Sequence, residues 1–307
     1  MKREFWLTAF SLYSVTIPHK NGASKSIACP FLFSGRSGDM RKIVVASIKG
    51  GVGKTTVSSG LTRSLKRLGY RVGYLDVDIT APTGSEAFGL EKPPDWELDT
   101  AAEGGRGAIV PYNVEGIQFI TLASHFGQAP AVLWDEEKKI DAARQLLQGV
   151  VAWRDLDWLI LDTPPSSSGE MQALYKYITD LHGVILVFQP TDMAVADLYR
   201  TLDFLKFKKV AILGLINNMS YCVSPSGESF WPFLSPKIDL AAICENFRIP
   251  LLGEIPLTPD RKVVDQALDQ IASRLDGAKP VILKEDITKR LIREGKRKLL
   301  KAAVRRL

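Results

Sequence analysis

Lys49-Gly50-Gly51-Val52-Gly53-Lys54-Thr55-Thr56 is the stretch on which the fold of this chain turns. A loop that cradles phosphate needs glycines, because its backbone N–H groups must all turn toward the anion. Some of the conformations this requires exclude a Cβ. In this pattern Lys54 reaches the β- and γ-phosphates of a nucleotide and the Thr55 hydroxyl ligates Mg2+. Gly50, Gly51, Val52, Gly53 and Thr56 complete the cradle. Lys49, five residues before Lys54, has no place in that geometry and points to a second role. The strict pattern also has glycine where this chain has Ile48.

The surroundings of the loop fit. Ile43 to Ile48 is a short apolar, β-branched run and reads as a buried strand. After the loop, Val57, Leu61, Leu65 and Leu68 recur at helical spacing, and Gly69 is placed to stop the helix. Strand, glycine loop and helix start together make an anion site, because the helix dipole adds to the N–H donors.

Further apolar runs follow: Val72–Leu75, Ile117–Leu122, Trp158–Leu161, Val184–Phe188 and Val210–Ile216. Near-continuous apolar strands separated by helical segments predict an α/β fold, a twisted, mostly parallel sheet with helices on both faces. Most of these runs end on polar groups, and such sheets bind ligands at the carboxyl ends of their strands. Asp162 ends one run and is the expected second acidic element of a phosphate-loop protein, holding the Mg2+ shell. Asp76 and Asp78 end another. Alternation along an extended chain puts both on one side, one to support Mg2+ and the other to orient an attacking water.

Composition bounds the rest. At 307 residues the chain makes one large α/β domain or two small ones. No run approaches the ~18–20 apolar residues of a membrane span. Three cysteines, Cys29, Cys222 and Cys244, lie far apart, form no CxxC pair and suggest a reducing compartment. The net charge is +6, and residues 285–307 alone carry nine Lys or Arg against three Asp or Glu, so the remainder is neutral. A specific nucleic-acid partner is therefore not expected of the core. Residues 1–39 show aromatic clusters and no sustained period, and read as a poorly structured extension, with Met40 as the expected natural start. Residues 40–283 read as the globular domain and 284–307 as a basic C-terminal helix.

The motifs together resemble the Mrp/ApbC branch of the MinD/ParA-type phosphate-loop ATPases, over roughly residues 42–270. The phrases that carry the resemblance are KGGVGKTT (49–56), LDVDITAPTG (75–84), LDTPPSSSGE (161–170), GLINNMSY (214–221) and LGEIPLTPD (252–260). The resemblance implies a cytoplasmic homodimer that sandwiches ATP and Mg2+ and hydrolyses the ATP slowly, with iron–sulfur cluster assembly as its output. It implies that Lys49 reaches the phosphates of the partner's nucleotide, as an arginine finger does. By the same resemblance Asp78 orients water, and Thr55, Asp76 and Asp162 belong to the Mg2+ shell. Asn218 reads adenine, and the segment from Pro256 to Pro259 walls the base.

The chain also departs from that family's pattern. Cluster-carrying members have a CxxC pair after the NMSY phrase, whereas here Tyr221-Cys222-Val223-Ser224-Pro225 keeps one thiol. Two copies of one cysteine supply half of the four thiolates a bridging cluster takes. A cluster held at the usual site is therefore not expected. The double proline is followed by Ser166-Ser167-Ser168-Gly169-Glu170 in place of the usual Gly-Thr-Gly-Asp. In the tail, Leu299, Leu300, Ala303, Val304 and Leu307 share a helix face opposite Lys298, Lys301 and Arg305. Residues 296–307 pack on the domain or stay solvated in the first reading, and lie on an anionic membrane surface in the second. The alternative function is a MinD/ParA-like spatial regulator with ATP-dependent membrane or partner binding. The client protein is not legible.

Overall fold

Every apolar run of the body becomes a strand in the computed structural model. The structure describes residues 14–18, 24–28, 40–47, 49–78, 83–91, 97–99, 108–121, 136–164, 169–224, 226–233 and 239–284. Within the first 39 residues, where the sequence suggests no sustained element, β1 (Ser14–Pro18) and β2 (Ser24–Ala28) pair antiparallel with each other. The phosphate-loop unit follows as β3 (Arg41–Ala46), α1 (Lys54–Arg67) and β4 (Val72–Asp76). After the short α2 (Gly84–Ala87) come β5 (Glu97–Asp99), β6 (Ala108–Val110), β7 (Tyr112–Val114), β8 (Ile117–Thr121) and α3 (Glu136–Leu147). Then β9 (Trp158–Asp162), α4 (Gly169–Tyr177), β10 (Leu181–Phe188), α5 (Asp192–Phe207) and β11 (Ile212–Asn218) alternate. The described chain closes with a small hairpin, β12 (Cys222–Val223) and β13 (Ser229–Phe230), and with α6 (Leu240–Phe247), β14 (Leu251–Ile255) and α7 (Arg261–Leu275).

Eight strands form one sheet in the order β14-β11-β10-β3-β9-β4-β8-β7. Neighbours run parallel except at one edge, where β7 turns back antiparallel on β8. The side chains of β3 divide between two apolar layers. Val44 and Ala46 join Leu159 and Leu161 of β9 against α3, α4, α5 and α6. Ile43 and Val45 join Trp158 and Ile160 against α1 and α7. A strand covered on both faces has no polar side to show, which is why these runs read as unbroken apolar stretches.

α1 is amphipathic as its spacing predicts. Val57, Leu61 and Leu65 are fully buried, each contributing about 1.5–3 kcal/mol by burial. Leu68, expected on the same face, is 48% exposed, because the helix has already ended at Arg67. Gly69 takes φ +92, and its N–H bonds Lys66 O while Tyr70 N–H bonds Leu65 O. That paired closure needs a left-handed residue, and glycine adopts it without a Cβ penalty. At the far end of the described domain, Val281 exchanges two backbone hydrogen bonds of 2.8 Å with Ile212, and Leu283 is buried in the core. No helix among the described residues is long and apolar enough to cross a membrane.

Candidate nucleotide site

The loop between β3 and α1 is built on its glycines. Gly51 and Gly53 have φ of +76 and +84, in the left-handed region. A Cβ on Gly53 would stand 2.4 Å from Nδ2 of Asn218, so backbone conformation and space both demand glycine there. Nδ2 of Asn218 donates to the Val52 carbonyl at 2.7 Å. Asn218 ends β11, two strands from β3, and is buried. It therefore clamps the loop from beneath.

Inside the loop, the Ser47 hydroxyl donates to the Lys49 carbonyl at 2.8 Å and accepts from the Lys54 ammonium at 3.2 Å. Lys54 is buried at the start of α1. Burial lowers its pKa, and the carboxylates of Asp162 and Asp78 pull it back up. Thr55 follows on the first turn of α1, its hydroxyl 3.0 Å from that of Thr83. Lys49, Gly50, Gly51 and Thr56 are exposed around this centre.

Beneath Lys54 lies an acidic pair set by register. Asp76 of β4 and Asp162 of β9 are direct partners across the parallel ladder. Both are buried, and both titrate above the ordinary carboxyl value. Desolvation is the first cause in each, and for Asp76 the charges of Asp162 and Asp78 add to it. The two carboxylates have different surroundings. Oδ1 of Asp76 accepts the Asp78 N–H at 3.1 Å. Oδ2 accepts the Gly84 N–H at 3.0 Å and the Thr121 hydroxyl at 3.3 Å. Asp76 thus braces the turn that carries Asp78 and the start of α2.

Asp162 accepts from the Tyr74 hydroxyl at 3.0 Å through Oδ2, while its Oδ1 is buried with no hydrogen-bond partner. The hydroxyls of Thr55 and Ser58 also favour its charged form. A buried, unpartnered carboxylate oxygen next to a threonine hydroxyl is the donor set a small oxygen-seeking cation takes. The residues present therefore fit Mg2+.

The remaining site residues stand on neighbouring strand ends. Asp78 is half-buried just beyond β4. Pro256 is buried just after β14, in a segment bound to β11's exit by Ser220 N–H to Ile255 O, 3.0 Å, and Leu257 N–H to Tyr221 O, 2.7 Å. The structure brings Lys54, Thr55, Asp76 and Asp162 into one cluster with Asp78 at its side. It adds four residues the sequence reading did not single out: Ser58, Tyr74, Thr83 and Thr121. Thr83 was within reach, since it stands in the phrase that holds Asp76 and Asp78. Ile48, Cys29, Ser166–Ser168 and the tail lie outside the described residues. Cys222 is half-buried opposite Phe230, and Cys244 is buried, its thiol pushed up to about 11 by desolvation.

A glycine loop on a central strand of a parallel sheet, facing an acidic pair on the adjoining strands, defines a phosphate-loop nucleotide-binding protein. Its relatives narrow that class. The chain belongs to the ParA family of NUBPL iron-transfer P-loop NTPases, whose profile matches residues 40–291. It is 33% identical over 222 residues to the cytosolic Fe-S cluster assembly factor Nubp2 homolog 1 of Drosophila yakuba, covering 71% of this chain and 82% of that one. Among solved structures it is similar to an Archaeoglobus fulgidus nucleotide-binding protein in complex with ADP. There the identity is 27% and the TM-score 0.58, over 75% of this chain and 88% of that one. The septum site-determining protein MinD of Pyrococcus horikoshii, complexed with Mg-ADP, shares the fold at a TM-score of 0.56 and 22% identity, over 77% and 96%.

Proposed function

We propose that this chain binds and slowly hydrolyses ATP with Mg2+, as the switch of a cytoplasmic homodimer that serves iron–sulfur cluster assembly. The observation that carries the nucleotide reading is the unpartnered, buried Oδ1 of Asp162 beside Thr55 and beneath Lys54. Thr55 and Asp162 would hold the cation, with Asp76 behind them. Mg2+, when bound, neutralises charge that develops on the phosphate oxygens. The chain's own groups do the rest. The loop N–H groups and the α1 start bind the β- and γ-phosphates, and Lys54 places a cation against them. Asp78, held by the brace at Asp76, orients the attacking water. Asn218 and Pro256 stand on the base side.

Lys49 is the residue that asks for a second subunit. It is exposed, and its backbone rather than its ammonium is engaged by Ser47. In a face-to-face dimer it meets the partner's phosphates, a cation supplied where transition-state charge appears. The assembly output rests on the relatives' role. The cluster is cargo in this reading and is not held on the chain's own thiols. Cys222 lacks a second thiol in its turn.

Single-turnover hydrolysis tests the site. Lys49→Ala and Asp78→Ala should keep nucleotide binding and lose hydrolysis, and wild-type turnover in both would remove the assigned roles. Anaerobic reconstitution tests the cargo. The isolated chain should hold no stoichiometric cluster, and a stable cluster spectrum would overturn that part alone.

A further inference from the structure

The end of the sheet opposite the phosphate loop carries a second surface feature. α5 ends there, and Phe207 in its last turn is 80% exposed. Lys206, Lys208 and Lys209 surround it. Antiparallel to the start of β11 runs the segment around Val281, bonded to Ile212. That register carries Ile282, 52% exposed, and the exposed Lys284 back alongside Val210 and Lys209. Lys279 is exposed on the same segment. Residues 204–210 and 277–284 contain no acidic side chain. Among the described residues, none of these five lysines is held in a salt bridge. Two large apolar side chains thus protrude among five lysines that make no ion pair with a described residue, the nearest acids in sequence being Asp203, Asp276 and Glu285.

Three helices of the chain end in the same way. α1 closes with Gly69 in the left-handed position. α5 closes with the same hydrogen-bond pair, Lys209 N–H to Lys206 O and Val210 N–H to Leu205 O, with Lys209 at φ +56. α6 repeats it with Arg248 at φ +55, through Arg248 N–H to Glu245 O and Ile249 N–H to Cys244 O. A side chain in that position is strained where glycine is not. Glu115, Asp155, Asp180 and Met219 take the same conformation, with φ between +48 and +55, so it is a recurrent turn geometry in this chain and does not by itself single out the cations.

We infer that this end is a docking surface for an anionic lipid membrane, separate from the nucleotide site at the carboxyl ends of the strands. Phe207 stands out from a helix end. A deformable interface accepts such a projection, whereas a peptide partner needs a groove. Lysine stems and an aromatic ring at the headgroup level match interfacial chemistry. Each lysine near an anionic leaflet strengthens partitioning about fivefold at modest salt. Residues 285–307, outside the described residues, carry nine Lys or Arg against three acids.

Full-length protein should sediment with vesicles of phosphatidylcholine mixed with phosphatidylserine and not with phosphatidylcholine alone. Lys206→Glu/Lys208→Glu should lower binding at least tenfold, and Phe207→Ser several-fold, with the tail unchanged in every variant. ATP hydrolysis at the wild-type rate shows that the variants are folded. Unchanged sedimentation of both variants overturns the inference, since the tail then acts alone. Absence of binding to the anionic vesicles overturns it too. If polyglutamate or duplex DNA binds through the same residues while vesicles do not, the surface serves an acidic macromolecule and the lipid assignment is wrong.

Discussion

Replacement of Gly53 by alanine isolates the clamp under the phosphate loop. The structure imposes two separate costs. An L-residue at φ +84 pays about 1–2 kcal/mol for the left-handed conformation. Its Cβ also lands 2.4 Å from Asn218 Nδ2, which must swing away. That breaks the 2.7 Å bond to Val52 O and leaves a buried carbonyl unpaired, at about 1–3 kcal/mol. Gly53→Ala should therefore cost about 2–5 kcal/mol, while Asn218→Ala should cost about 1–3 kcal/mol. With Asn218 already truncated, the Cβ has nothing to displace, and the second substitution should cost only the conformational term of about 1–2 kcal/mol. The cycle should thus close with a coupling of about 1–3 kcal/mol. Urea denaturation of all four proteins measures it, and ATP affinity should weaken tenfold for each ~1.4 kcal/mol lost in the loop. Equal costs for Gly53→Ala in both backgrounds would refute the clamp.

The acidic pair gives a pH signature. Burial raises Asp162 and Asp76 above their ordinary values in the folded chain. Their contribution to stability is therefore fully present below the ordinary carboxyl range and is lost as pH rises through the raised values. Asp157 and Asp276, held low by Arg71 and Arg41, act in the opposite sense, so a difference measurement is needed. Asp162→Asn should show a flatter loss of melting temperature with rising pH than wild type when nucleotide and Mg2+ are absent. It should also lose the stabilisation that Mg2+ with ADP brings near neutrality, and identical pH profiles would remove the pair from this role. At the α5 exit, Lys209→Gly relieves about 1–2 kcal/mol of left-handed strain and adds about 0.5–1 kcal/mol of unfolded-chain freedom. The net gain expected in urea melts is about 0.5–1 kcal/mol, and a loss of stability would mean that the lysine side chain is held by contacts of its own.

Much of this was legible because it is local. The strand-loop-helix unit at 41–67 announces itself through β-branched residues, glycines and a helical period within one window. Gly69 closes the helix as its position foretells. Aspartates at strand ends could be marked for the same reason, since alternation and punctuation are short-range signals. What escaped depends on pairing between distant segments. The Asp76–Asp162 alignment follows from the register of β4 on β9, which no window contains. The Tyr74 contact to Asp162 follows from the same ladder, and the Thr121 contact to Asp76 from the register of β4 on β8. The antiparallel turn-back of β7 reads no differently from any other short strand. Asn218 could be marked as a ligand-side residue by resemblance, but its bond to Val52 appears only once β11 and β3 share a sheet.

The clamp also sets an order of events during synthesis. The bond from Asn218 to Val52 joins residues 166 positions apart. At ~5–20 residues per second, a growing chain carries its phosphate loop for roughly 10–30 s before Asn218 exists. Throughout that interval the glycine loop has no floor, and the acidic pair is itself incomplete until Asp162 is made, about two-thirds of the way through. Nucleotide can be held in the manner described only after more than half of the polypeptide has left the ribosome. An unfinished chain therefore lacks the floor on which its phosphate loop rests until most of the domain has been made.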